Sequence, residues 1–461
     1  MEFCILRAGR PIAAAAGLAF LLTGLSIAPP ALAQQADTAQ AGGQGQQQST
    51  AQTQKNWKDR AEYELFENIT KTTDPQQRLQ LLNTWQDKYP QSDYADYRLK
   101  YYINTLGQLA QNDPSQRQPL IDKCEALLKL DPNDFYANFY VVLYGPQIQG
   151  TPSPELVSQV QNSANTLLKI ADTVFSPSNK KPQMTDQQWQ EAKNSVLAIA
   201  HNGLAWVDIQ NKNTAGAENE YQQSLTINPN QGTIAAAYAK LLYDDKKFPQ
   251  ALFEYARAAE YDGQGALPAN TRTQLLDFFN KAYKDYHGSS DGADQVLNQA
   301  KTSAVPPQGF NIVSAAQIAN QEAEQLNQRI QNDPAFNIWY SIKQSLQQQG
   351  DEFFNSDLKD AEVPGGAKGV KYFTGTVISV DPSKVTLGIE NPTVPDATLV
   401  FSTPLSQEAL NSIKVGSQIQ FSGVVDSYTA NPYMLTFKDP TIPGVKTTTP
   451  AKTGRRRPTR R

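Results

Sequence analysis

The apolar residues of this chain repeat with two different periods, which divide it into a long helical part and a short β part. From residue 57 to residue 362 they recur at offsets of three and four, the spacing that keeps side chains on one face of an α-helix. After residues 363–366, Val-Pro-Gly-Gly, the period becomes two, as in a strand with one buried face. The pattern predicts an α+β multidomain protein, in which an all-α array precedes a small β domain.

The helical part contains a short skeleton of small, aromatic and proline residues that recurs along the chain. Its clearest copy is Ala217, Tyr221, Ser224 and Pro229, and the next is Ala251, Tyr255 and Ala258. We call the interval from Ala217 to Ala251 one repeat length. Further copies are Ala293, Leu297 and Ala300 and, upstream, Leu120, Cys124, Leu127 and Pro132. Ala205 and Ala239 are also one repeat length apart, and a small residue there lets two helices approach closely. The proline ends one helix pair before the next begins.

This skeleton resembles that of the tetratricopeptide repeat (TPR) family, whose repeat is about 34 residues long. The resemblance covers residues 56–305 and implies a helical solenoid, in which the skeleton residues pack one helix on another. It also implies that a partner binds the concave surface formed by the first helix of each pair. His201 and Asp208 depart from the family pattern, which has an aromatic residue and a tyrosine at these positions.

Residues 306–362 continue the helical pattern and form a predicted cap or connector. Steps of four and three fall on Ile312, Ala316, Ala319, Ala323, Leu326 and Ile330. A second helix carries the apolar residues Phe336, Trp339, Ile342 and Leu346. Because the last repeat of a solenoid exposes an apolar face, we expect this helix pair to cover that face. The alternative is that the pair binds a partner helix.

Residues 366–440 predict a small β-barrel. Five strand patterns lie at residues 371–380, 384–390, 397–401, 417–425 and 432–438, and a short helix pattern separates the third from the fourth. That order is typical of the OB-fold, a five-stranded Greek-key barrel. The segments GTVISV and IKVGSQIQFSGVV resemble the OB-type module called tRNA anticodon-like. The arrangement as a whole resembles secreted bacterial TPR proteins.

The N-terminus has the layout of a secretory signal peptide. Arg7 and Arg10 precede an apolar run over residues 12–27, and Ala31 and Ala33 form a small-residue cleavage site. We therefore expect residues 1–33 to be removed and the protein to be exported, either to the periplasm or out of the cell. A retained membrane anchor is the alternative. The Gln-rich residues 34–55 lack apolar bulk and predict a disordered linker.

The C-terminus reverses the charge of the rest of the chain. The net charge of the protein is −4, yet from residue 446 onward there are seven basic residues and no acidic one. Five of them are Arg455, Arg456, Arg457, Arg460 and Arg461. We interpret residues 441–461 as a disordered basic tail, which either keeps the protein soluble or contacts an anionic surface.

The sequence contains no catalytic motif, and the residues for a metal or redox site are scarce. There are two His residues, and Cys124 is the only cysteine after the signal peptide. We therefore expect neither an enzyme nor a bound metal or cofactor. Nucleic acid is an unlikely partner for the barrel, because residues 366–440 contain five Lys and no Arg against six Asp and Glu.

Two functions remain open at this point. The first is an exported, non-catalytic TPR scaffold that binds an unidentified protein or peptide partner through its concave helical surface. The alternative is an oligonucleotide- or polysaccharide-binding protein that uses the OB-like barrel and the basic tail.

Overall fold

A computed structural model describes residues 55–445 of the chain. These residues divide into two compact units between Ser314 and Ala315. The signal peptide, most of the predicted linker and nearly all of the basic tail lie outside the described residues, so these predictions stay predictions. Within residues 55–445, no helix combines the length and the apolar character that crossing a membrane requires.

The first unit is helical. Its helices are α1 (Arg60–Lys71), α2 (Pro75–Lys88), α3 (Ala95–Leu109), α4 (Arg117–Leu128), α5 (Phe135–Tyr144), α6 (Pro154–Val174), α7 (Asp186–Gln210), α8 (Thr214–Ile227), α9 (Gly232–Asp244), α10 (Phe248–Glu260), α11 (Ala269–His287) and α12 (Ala293–Thr302). Short 3-10 turns lie at Pro114–Gln116, Gly145–Gln147 and Pro177–Asn179.

Polar side chains fix where these helices begin. The Asp59 carboxylate accepts a hydrogen bond of 2.8 Å from the backbone N–H of Glu62 at the start of α1. At the start of α7, Thr185 and Gln188 form a reciprocal capping box. Each cap satisfies backbone N–H groups that have no partner within the helix. The helix starts are therefore encoded locally in the sequence.

Consecutive helices pack on one another from α1 to α11, and α12 packs on α10. The skeleton residues lie in the contacts between them: thirteen are at most 8 % exposed, namely Leu120, Cys124, Leu127, Ala205, Ala217, Tyr221, Ser224, Ala239, Ala251, Tyr255, Ala258, Ala293 and Ala300. Leu297 is half-buried, and Pro132 and Pro229 are exposed. The skeleton side of each helix faces inward, and the helices α5 and α10 are buried on their other sides as well.

The second unit combines helices with a mixed six-stranded sheet. Its helices are α13 (Ala315–Asn332), α14 (Pro334–Gln349), α15 (Asp351–Phe353) and α16 (Gln407–Ser412), with a π turn at Phe354–Leu358 and a 3-10 turn at Ala367–Gly369. Its strands are β1 (Glu362–Val363), β2 (Phe373–Asp381), β3 (Lys384–Gly388), β4 (Ala397–Val400), β5 (Gln418–Ala430) and β6 (Tyr433–Thr441).

The strands β2 to β6 close on themselves. β2 pairs with β3 and β5, β3 pairs with β4, and β5 pairs with β6, all antiparallel. β4 pairs with β6 in parallel and completes the ring. The helix α16 lies between the third and fourth of these strands, where the sequence pattern predicts a helix. The two-residue strand β1, which pairs with β5, was not predicted, because two residues show no periodicity.

The helix α14 belongs to the core of this ring of strands. Its Trp339 is fully buried, with ring centroids 5.5 Å from Phe373 and 6.3 Å from Phe437. Residues 306–362 are predicted to form a helical cap or connector. The structure groups α13 and α14 with the second unit, where Phe336, Trp339, Ile342 and Leu346 of α14 pack in the core.

Candidate functional site

The helices α7 and α9 carry a set of partly or fully exposed side chains that do not belong to the skeleton. We call it the α7–α9 face and define it by Asn202, Trp206 and Ile209 of α7 and Lys240 and Tyr243 of α9. Trp206 and Lys240 are one repeat length apart, as are Ile209 and Tyr243, so equivalent positions line both helices. Ile209 is 39 % exposed, one of few large apolar side chains with such exposure in the described chain.

Neighbouring side chains hold Tyr243 and Asn202 of this face in place. The Tyr243 ring has centroid distances of 5.2 Å to Phe248 and 5.6 Å to Phe278, both edge-on. The amide nitrogen of Asn202 donates to the side-chain oxygen of Gln231 at 2.9 Å. Among the described residues, the amide oxygen of Asn202 has no hydrogen-bond partner. The face therefore combines a fixed aromatic ring with an exposed aliphatic side chain, beside an amide whose oxygen is buried.

The two histidines and the cysteine lie apart from one another. His201 Nδ1 lies 2.6 Å from a carboxylate oxygen of Glu220 on α8, and both side chains are mostly buried. His287 Nδ1 lies 2.7 Å from the carbonyl oxygen of Val313. Cys124 is fully buried, and burial raises the pKa of its thiol well above the usual value. Within residues 55–445, no three or more His, Cys, Asp or Glu side chains are grouped to hold a metal ion.

The second unit contains a pocket of about 720 Å³, built from residues of this unit alone. We call it the second-unit pocket. Its walls come from α13, α14, the segment between β3 and β4, and the turn before β6; the charged and aromatic residues among them are Glu322, Arg329, Phe336, Lys343, Glu390, Asp396 and Tyr433. They are distant in sequence, and the fold of the second unit brings them together.

The charged side chains of the pocket hold its walls in place. The Arg329 guanidinium lies 3.8 Å from the ring centre of Phe336 and donates to the carbonyl oxygens of Ile389 and Glu390 at 2.7 Å and 2.9 Å. The Lys343 ammonium forms an ion pair with the Glu390 carboxylate. The same ammonium lies 5.3 Å from the ring centre of Tyr433. These contacts join α13 and α14 to the segment between β3 and β4.

Asp396 is a buried carboxylate of the pocket. Its carboxylate accepts hydrogen bonds from the backbone N–H groups of Ile389 at 2.7 Å and Glu390 at 2.8 Å. Burial raises the pKa of Asp396 to about 6, although these two hydrogen bonds act in the opposite direction. The side chain is 5 % exposed. Through these two hydrogen bonds Asp396 holds the segment between β3 and β4 in place.

Sequence reasoning did not identify the second-unit pocket. Its residues span positions 322 to 433 and share no motif or period. The positions of the α7–α9 face follow from the same repeat length that identifies the skeleton, so that signal was available. Most of the residues that the sequence singles out for packing, from Leu120 to Ala300, are buried between helices, Pro132 and Pro229 are exposed, and none of them lines either site.

No family model and no curated protein matches this chain.

Proposed function

We propose that the protein is an exported, non-catalytic scaffold. In this proposal the first unit is a TPR solenoid that binds a protein or peptide partner across the α7–α9 face, and the second unit is an OB-type barrel. Export rests on the predicted signal peptide of residues 1–33. The partner remains defined by chemistry: an extended or helical segment with an apolar side chain that contacts Ile209.

The observation that carries this proposal is a difference in burial between two sets of positions in the helical unit. Thirteen of the skeleton residues are buried between helices, whereas positions one repeat length apart on α7 and α9 stay partly exposed. Nearest-neighbour packing of this kind produces an extended surface with equivalent side chains side by side, which is how repeat proteins bind partners. Aromatic side chains, such as those of Trp206 and Tyr243, are enriched among the few residues that dominate the binding energy of an interface.

A second observation supports the OB-type interpretation of the second unit. The strand order β2-β3-β4-β6-β5, closed by β5 on β2, with one parallel pair, agrees with a five-stranded Greek-key barrel. The short helix α16 lies between the third and fourth barrel strands.

The test is a crosslinking pull-down from cell-envelope extract, with the mature chain as bait and Ile209→Asp as the variant. Because the substitution places a charge in the proposed contact, we expect recovery of the partner to fall at least about tenfold. The control is Gln222→Asp, at an exposed position of α8, and it should leave recovery unchanged. Equal recovery with Ile209→Asp would reject the α7–α9 face as the binding surface.

A shortened chain separates this proposal from binding through the basic tail. The bait ends at Val445, because Ile442 is buried in the second unit and the seven basic residues of the tail all follow Val445. We expect it to recover the same proteins as the full chain. If recovery instead requires the tail and falls steeply with salt, the tail is the functional element.

A further inference from the structure

The second-unit pocket has the dimensions of a ligand site and is independent of the α7–α9 face. Its volume of about 720 Å³ lies within the range of roughly 300–1,000 Å³ that small-molecule sites occupy. Arg329, Lys343 and Asp396 are held by contacts inside the unit, so the walls are organised without a ligand. Preorganised walls lower the cost of ordering on binding.

The cations of the pocket are already engaged. Arg329 donates to two backbone carbonyls and covers the Phe336 ring, and Lys343 is paired with Glu390. Three carboxylates also line the pocket: Glu322, Glu390 and Asp396. An anionic ligand would therefore meet more negative than positive charge, with no unengaged cation among the described lining residues. This charge balance disfavours a phosphate backbone or an acidic peptide.

Several polar side chains of the pocket lack partners within the described chain. Glu322 and Gln325, three residues apart on α13, are exposed at the pocket and make no hydrogen bond or ion pair with the described chain. The Tyr433 hydroxyl is buried and has no partner among the described residues. The side-chain oxygen of Asn391 accepts hydrogen bonds from the backbone N–H and the hydroxyl of Thr393, which leaves its amide N–H groups as donors. The pocket thus offers donors and acceptors close together, as a group of vicinal hydroxyls requires.

Apolar groups lie beside these polar ones. Leu326, Val394, Pro395 and Pro432 line the pocket, and Val394 is 54 % exposed. An alternation of hydroxyl edges and C–H faces is the surface of a pyranose ring. From this combination we propose that the second-unit pocket binds a neutral oligosaccharide, whose hydroxyls contact Glu322, Gln325 and Asn391 and whose C–H faces contact Val394 and Pro395.

The test uses isothermal titration calorimetry on the full chain at constant salt. The probes are cellotriose, maltotriose, mannotriose and chitotriose, with the oligonucleotide dT12 and pentalysine as charged comparisons. We expect at least one neutral trisaccharide to bind in a one-to-one ratio, and neither charged probe to compete with it. Nucleotide or pentalysine binding that is lost with the pocket variant would overturn the proposal, as would failure of all four sugars to bind.

A matched pair of variants places the binding in the pocket. The double variant Glu322→Gln with Gln325→Ala should weaken binding at least about tenfold, because hydrogen bonds to a charged acceptor are among the stronger ones. The control is Glu324→Gln with Gln328→Ala: the same substitutions on the same helix, at exposed positions that do not line the pocket. It should bind as the unchanged chain does. Equal weakening by both double variants would reject the pocket as the site.

Discussion

At the scale of single residues, Glu254 of α10 has a buried carboxylate without a hydrogen-bond partner in the described chain, and comparison with the preceding repeat explains why. Its carboxylate is fully buried, and neither oxygen has a hydrogen-bond partner among the described residues. Glu220 occupies the equivalent position one repeat length earlier and contacts His201, but the position equivalent to His201 is Ala235. Glu254 therefore lies where the preceding repeat has a contact between a carboxylate and a histidine, but within residues 55–445 it has no histidine partner. Burial raises the pKa of Glu254 well above its usual value.

We expect Glu254→Gln to stabilise the first unit at neutral pH. A raised carboxyl pKa means that the folded state binds the proton more tightly, so stability is fully present below the unfolded pKa and is lost as pH rises towards the folded pKa. The variant removes this loss, which amounts to about 1.4 kcal/mol per pH unit in that range. In urea unfolding, the free energy of unfolding should be higher for the variant than for the wild type at pH 8 and equal for the two at pH 4.

The matched control for that experiment is Glu220→Gln. Its carboxylate contacts His201, so the substitution removes a partner from a mostly buried group and should not stabilise the protein. If Glu254→Gln and the wild type respond to pH in the same way, the Glu254 carboxylate is solvated and the explanation fails.

Asp396 in the second unit provides a direct pH measurement. With selective 13C labelling of aspartate, its carboxyl carbon should titrate with a midpoint near the pKa of about 6, and Asp396→Asn assigns the signal. Because this pKa is raised by burial, the second unit should lose up to about 3 kcal/mol of stability as pH rises from about 4 to about 6. A midpoint near 4 would show that Asp396 is more hydrated than its 5 % exposure indicates.

At the scale of elements, periodicity predicts most of what the structure contains. The helical period of residues 57–362 and the strand period after residue 370 give the order of helices and strands, because each element buries one face. The role of α14 could not be predicted in the same way. Its pattern of Phe336, Trp339, Ile342 and Leu346 shows that one face is buried but not which surface covers it. The structure shows that this face packs against the core residues of the β-sheet.

The two candidate sites differ in the same way, because one follows from a local sequence pattern and the other does not. The α7–α9 face is predictable, since a repeat fixes which positions are equivalent once its skeleton is known. The second-unit pocket is not, because Glu322 and Tyr433 become neighbours only through the closure of β2 to β6 and the packing of α14 against the sheet. Local patterns predict local faces, whereas a pocket depends on contacts between elements distant in sequence.

At the scale of the whole molecule, the two units have separate hydrophobic cores, each with a fully buried tryptophan. Trp85 lies in a core of the first unit, and Trp339 lies in the core of the second. Replacing a buried tryptophan by alanine costs about 3–5 kcal/mol, through lost burial and the cavity that remains. We expect Trp339→Ala to destabilise the second unit and Trp85→Ala to destabilise the first.

Hydrogen–deuterium exchange read by mass spectrometry distinguishes the two responses, because it reports opening segment by segment. With Trp339→Ala, peptides from β2 to β6 should exchange faster, while peptides from α2 to α4 keep the wild-type rate. Trp85→Ala should produce the reverse pattern, so each variant is the control for the other. If either variant accelerates exchange equally in both regions, the two units unfold together and their separate cores do not make them independent.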